Sequence, residues 1–207
     1  VSLATRLLNA NPGAQVTTAL TGALTTPGAK GTFTDPGSFF SIASTTVGAG
    51  GTPSVTFTDG GAWADYKHLQ IRCRVMSASG TPELVLNFNG VTGSTIYTQH
   101  AVYGTADGST PSAYGAANQT LGITWQGAGG DTNGPAVNII DIPEFANTNK
   151  FKTFRSLTGR NNYNTGTISI NSGGFRSTNA ITSITFSTIS SVNFAQHSFF
   201  GLYGIKG

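Results

Sequence analysis

Residues 66–76 (YKHLQIRCRVM) give the cleanest alternation of apolar and polar side chains in the chain, unbroken from His68 to Val75. Successive side chains of an extended strand point to opposite faces. Leu69, Ile71, Cys73 and Val75 therefore share one face, and His68, Gln70, Arg72 and Arg74 the other. The pattern predicts a strand with one side in a core and one side wet or at an interface. Residues 83–89 (ELVLNFN) repeat the period with Leu84, Leu86 and Phe88 inward. Further strands are expected at 39–47, where Phe40, Ile42 and Val47 can be buried, and at 54–58 through Val55 and Phe57. More are expected at 95–103, 119–126 (Leu121, Ile123 and Trp125 in step), 136–142, 150–157, 167–171 and 181–188. Turn residues stand between them, such as GAGGTP at 48–53 and Asp59-Gly60-Gly61. The Gly/Ser/Ala-rich stretch from 104 to 118 reads as a loop.

The last fifteen residues (NFAQHSFFGLYGIKG) are almost wholly apolar, aromatic or glycine. Phe199, Tyr203 and Ile205 alternate with Phe200, Leu202 and Gly204, so both faces of a strand here are apolar. The expectation is a closing strand covered on both sides. About ten short strands, no amphipathic helix of useful length and no tandem repeat predict an all-β fold. The form expected is a jelly-roll-like two-sheet sandwich over residues 38–207.

Residues 1–37 differ. A helix at 2–10 would be too short to hold alone in water, and Pro12-Gly13, Pro27-Gly28 and Pro36-Gly37 punctuate the remainder of the stretch. Nothing in it can enclose Leu3, Leu7, Leu8, Leu20 and Leu24. The reading is an extended N-terminal arm whose leucines bind a partner.

Composition narrows the function. Only 9% of residues are charged, against about 25% in ordinary soluble domains. Solubility then rests on Ser, Thr, Asn, Gln and Gly, which suits extracellular binding proteins and virion proteins better than cytosolic enzymes. The formal net charge is +3 without a basic cluster among aromatics, so no nucleic-acid partner is expected. No apolar run approaches the roughly 18 residues of a membrane span, and the interrupted N-terminal stretch does not read as a signal peptide. Cys73 stands alone, with neither a disulfide partner nor a zinc-type spacing.

Candidate chemistry is sparse. Of the eight carboxylates, Asp35, Asp59, Asp107 and Asp131 sit in turn-like contexts. Asp141 and Glu144 flank Pro143, but nothing in the sequence brings them to the separation of about 5–9.5 Å that a glycosidase needs. His68, His100 and His197 are scattered, with no metal-binding spacing. No catalytic, metal or cofactor site is expected, and an enzyme is not the reading. Trp63, Tyr97, Tyr103, Tyr114 and Tyr163 fall at strand ends or loops, where they could stack on sugars. Trp63 and Tyr66 could equally plug one end of the sandwich. Arg72 and Arg74, side by side on the polar face of the cleanest strand, suit contact with a neighbouring subunit.

The segments YKHLQIR (66–72), LVLNFNG (84–90), DIPEFANTNKFKTFRSLTG (141–159), AITSITF (180–186) and the final fifteen residues resemble a family of tailed-bacteriophage virion proteins. Members of that family occur in capsid-associated proteins and in tail-fibre or receptor-binding proteins of aquatic phages. The resemblance runs from about residue 39 to 207 and implies a β-domain on the virion surface, with no catalytic residues to carry over. The expected role is a capsid cement or decoration protein whose arm binds the major capsid protein and whose β-knob forms a homotrimer. The alternative is a tail-fibre tip that recognises a host surface glycan.

Overall fold

The computed structural model describes residues 39–105, 111–124, 134–162 and 165–207. The leucines of the arm (Leu3, Leu7, Leu8, Leu20 and Leu24), with Trp125 and Tyr163, lie outside the described residues. Among the described residues the elements are all strands: β1 (Phe39–Thr46), β2 (Val55–Thr58), β3 (His68–Val75), β4 (Leu84–Phe88), β5 (Tyr97–Thr105) and β6 (Ser112–Gln119), then β7 (Gly122–Ile123), β8 (Ala136–Ile142), β9 (Lys152–Asn162), β10 (Thr165–Phe175), β11 (Ser183–Thr188) and β12 (Phe199–Ile205).

They form two antiparallel sheets, one of eight strands in the order β1-β12-β3-β8-β9-β10-β5-β6 and one of four in the order β2-β11-β4-β7. Setting aside the hairpins β5–β6 and β9–β10 leaves eight strands. Numbered afresh, they run 1-8-3-6 in one sheet and 2-7-4-5 in the other. That alternation between sheets, with the first strand paired to the last, is the double Greek key of a jelly roll. The two inserted hairpins do not disturb it. Both add to the free side of β8 and widen one sheet only.

The core lies between the sheets. Phe88 of β4 packs edge-on against Phe154 of β9 and Phe175 of β10, with ring centroids 5.8 and 5.3 Å apart. Phe186 of β11 meets Phe200 of β12 at 5.4 Å, and Phe194 meets the same ring at 5.0 Å. Each aromatic buried this way removes a large apolar area from water. At the end of β4 the chain reverses through Asn89 and Gly90, both at positive φ. The Asn89 carboxamide accepts hydrogen bonds from the backbone N–H groups of Thr182 and Ser183 and so fixes the start of β11.

Most expected strands appear close to their expected bounds, but β9 and β10 run five and four residues past the ends expected at 157 and 171, and three further readings are corrected. The closing strand β12 is buried on one face only. Phe200 and Leu202 are fully enclosed, while Phe199, Tyr203 and Ile205 are half-buried on the outside of the large sheet. A ring of Phe39 stacked on Tyr203 covers part of that outer side. Residues 112–118, expected as loop, belong to the edge strand β6. Its side chains are mostly exposed, so no apolar period marks it. Of the strand expected over 119–126, the described residues form the two-residue β7, paired with Val85 and Leu86.

Candidate functional site

The outer faces of the two sheets differ in kind. On the small sheet Thr56 and Thr185 share a hydrogen bond between their hydroxyls. On the large sheet the register aligns three rungs across the strands. The first runs Ala113, Val102, Ile170, Leu157, Ile139, Arg72, Gly201 and Ser44. The second runs Gly104, Ile168, Gly159, Val137, Arg74, Phe199 and Thr46. The third runs Gly115, His100, Ser172, Arg155, Asp141, Gln70, Tyr203 and Ser41.

The first two rungs place six aliphatic side chains on four adjacent strands. Ile168, Val102, Ile170, Val137 and Leu157 are 63, 60, 57, 54 and 46% exposed, and Ile139 is half-buried. Scattered exposed apolar residues are ordinary, but contiguous patches mark interaction surfaces. Gly159 sits among them with open space where its side chain would be.

Alternation alone hides this patch. In β10, Ile168 and Ile170 face out, while Ser169 and Asn171 face in and are 1% exposed. The inward polar groups bond to one another and to the backbone of Thr124. Asn171 Nδ2 donates to the Thr124 carbonyl and to Ser156 Oγ. Thr158 Oγ1 contacts the same carbonyl and Asn138 Oδ1. Buried polar groups held this way avoid the cost of an unmet hydrogen bond. The apolar members of the alternation are thereby left outside.

Arg72 and Arg74 close the patch on the β3 side, both exposed as expected. The Arg72 guanidinium lies 4.6 Å from the Phe39 ring centre, and its Nε donates to Gln70 Oε1 at 2.8 Å. Arg74 Nη2 donates to the His197 carbonyl at 3.1 Å. The third rung is polar and tightly bonded. Asp141 accepts from Gln70 Nε2 through one oxygen at 2.7 Å and from Arg155 Nη2 through the other at 2.9 Å.

The remaining sequence candidates separate. Glu144 pairs with Lys150 and not with a second carboxyl. That contact holds its carboxyl below the usual range. His68 accepts the Glu144 backbone N–H through Nδ1 at 3.0 Å, and His100 stands four strands away on β5. Among the described residues no three metal-ligating side chains gather. Cys73 is buried and its thiol is pushed up by loss of solvent. Of the aromatics weighed for sugar stacking, Trp63 and Tyr97 are buried in the core, at 1% and 0% exposure, and Trp63 thus follows its other reading as a packing residue. Trp63 packs edge-on against Phe145. The Tyr97 hydroxyl accepts from the Phe88 N–H and donates to the Val91 carbonyl. Tyr114 alone of the described set is strongly exposed.

No family model, curated protein or solved structure matches the chain.

Proposed function

We propose that the protein is a structural component of a bacteriophage virion, a capsid cement or decoration protein assembled in the host cytoplasm. In this reading the N-terminal arm binds the major capsid protein, and the outer face of the large sheet binds further copies of the chain in a homotrimer. The observation that carries the reading is the aliphatic patch of Val102, Val137, Ile139, Leu157, Ile168 and Ile170. It lies on a domain otherwise kept soluble by uncharged polar groups. An apolar face edged by Arg72 and Arg74 suits a neighbour that offers apolar side chains and carbonyls or carboxylates. In this reading the role is structural; Asp141 is paired with Arg155 and Glu144 with Lys150.

For the fibre-tip alternative, Trp63 and Tyr97 are core residues and cannot stack on a glycan, whereas Tyr103 and Tyr114 remain at the surface.

Gly159 supplies the test. A side chain there meets nothing within 4 Å, so Gly159→Asp places a charge in the middle of the patch without a clash. The variant should melt like the parent and sediment as a monomer where the parent forms trimers. Stripped shells should recover full occupancy with the parent, at hundreds of copies per virion as a cement requires. A parent that is monomeric at all concentrations, or present in a few copies per virion, would overturn the proposal.

A further inference from the structure

At the end of the large sheet where β3 begins and β8 ends, the outer face carries a groove of about 560 Å³. Its polar walls come from His68, Gln70, Asp141, Arg155 and Ser172, and Pro143 and Ile205 give it an apolar side. We propose that this groove binds a neutral saccharide unit of a longer glycan. The inference stands apart from the virion reading and holds for whatever assembly carries the domain.

Three features point to that chemistry. First, the charges inside the groove are matched, because the Asp141 carboxylate and the Arg155 guanidinium are bonded to each other. A phosphate or an acidic sugar would need a cation without a partner. Second, the polar groups are fixed before any ligand arrives. Gln70 is held at both ends of its amide, by Arg72 through Oε1 and by Asp141 through Nε2. Arg72 itself lies over the ring of Phe39. His68 accepts the Glu144 N–H at Nδ1, which puts the hydrogen of the neutral ring on Nε2. Groups held this way lose little freedom on binding. Third, donors and acceptors alternate along the wall. His68 Nε2–H, the second amide hydrogen of Gln70 and the remaining Arg155 hydrogens can donate, and Asp141 and Ser172 oxygens can accept. Vicinal hydroxyls of a sugar both donate and accept, and a sugar's C–H face matches Pro143 and Ile205.

The fold argues against a peptide. β3, β8, β9 and β10 are interior strands whose backbone groups are used by their neighbours, so an extended chain finds no open edge to join. Hydrolysis is not expected either. Among the described residues Asp141 is the single carboxylate lining the groove, whereas glycosidases work with two. The groove borders the aliphatic patch, since Asp141, Arg155 and Ser172 lie two residues along their strands from Ile139, Leu157 and Ile170, roughly 7 Å at strand spacing. Ile168 and Val137 stand four residues from Ser172 and Asp141, roughly 13 Å.

The test is titration of the full-length protein, in both its parent and Gly159→Asp forms, with neutral oligosaccharides of glucose, mannose, galactose and N-acetylglucosamine. Calorimetry and amide NMR would track binding. At least one series should bind with a Kd of roughly 1 mM or tighter and shift the Gln70 side-chain amide and the His68 ring signals. Asp141→Ala and Gln70→Ala should each weaken binding at least about tenfold with an unchanged melting curve. Ile168→Ser, four residues from Ser172 on the aliphatic patch, should leave binding as it was. Failure of all four series to bind, binding indifferent to both substitutions, or release of new reducing ends would overturn the assignment. The Gly159→Asp sedimentation result is read separately, so the two proposals fail independently.

Discussion

The ring of Phe154 on β9 occupies the space where a Cβ would stand on Gly173, its register partner on β10. The same ring also crowds the Cβ position of Gly122 on the opposite sheet. Phe154 thus fills a slot that two glycines leave open, one in each sheet, and there contacts Phe88 at 5.8 Å.

Gly173→Ala should therefore destabilise the domain, although alanine is the better strand residue by about 0.5–1 kcal/mol. Overpacking a closed core costs about 1–3 kcal/mol. Phe154→Ala alone should cost about 3–5 kcal/mol. With Phe154 already shortened, Gly173→Ala should become neutral or mildly stabilising. Urea unfolding of the four proteins in this cycle measures the coupling; additive effects would show that the ring does not occupy the glycine's space.

Cutting the chain after Ser198 removes β12, an interior strand bonded to β1 on one side and β3 on the other. Phe200 and Leu202 leave the core with it. Large-to-small changes at two such sites cost about 2–5 kcal/mol each, against a total stability of about 5–15 kcal/mol. The shortened protein should be insoluble or lack a cooperative melt, as read by near-UV circular dichroism and calorimetry.

Replacing Arg72 and Arg74 together by Ser should weaken trimer formation and leave the monomer folded, because both side chains are exposed. The Phe39–Tyr203 stack at 4.5 Å should survive the loss of the guanidinium above it. Sedimentation over a dilution series checks the first point and thermal melting the second.

Tyr97 makes stability depend on alkaline pH. Burial pushes its phenol up to about 12, and the hydrogen bond from the Phe88 N–H opposes that rise. In the unfolded chain the group titrates near 10. The folded value is the higher one, so the stabilisation is fully present below about pH 10 and is lost as the pH approaches 12. At neutral pH Tyr97→Phe should cost about 1–3 kcal/mol, since the buried Phe88 N–H loses its acceptor. The gap between the two proteins in urea midpoint should narrow as the pH rises from about 10 to 12. A constant gap would mean that the phenol does not stay protonated in the folded state.

The hydrophobic period by itself determined much of this protein. It marked β3 with its inward Leu69, Ile71, Cys73 and Val75, β4, β8 and the closing strand, and with them the all-β class. Those strands have one strongly apolar face, and burial of that face fixes their register. It could not mark β6, an exposed edge strand whose place comes from its ladder with β5. Nor could it tell which side of an alternation faces inward. In β9 and β10 the inner positions hold Ser156, Thr158, Ser169 and Asn171, because Thr124 and neighbouring side chains meet their hydrogen bonds. Leu157, Ile168 and Ile170 are left in the open for the same reason. Trp63 and Tyr97 were drawn inward by packing partners far away in the chain, and the groove around Asp141 exists only where β3, β8, β9 and β10 lie side by side. Local alternation sets the two faces of a strand; which face meets the core depends on what the other sheet brings to it.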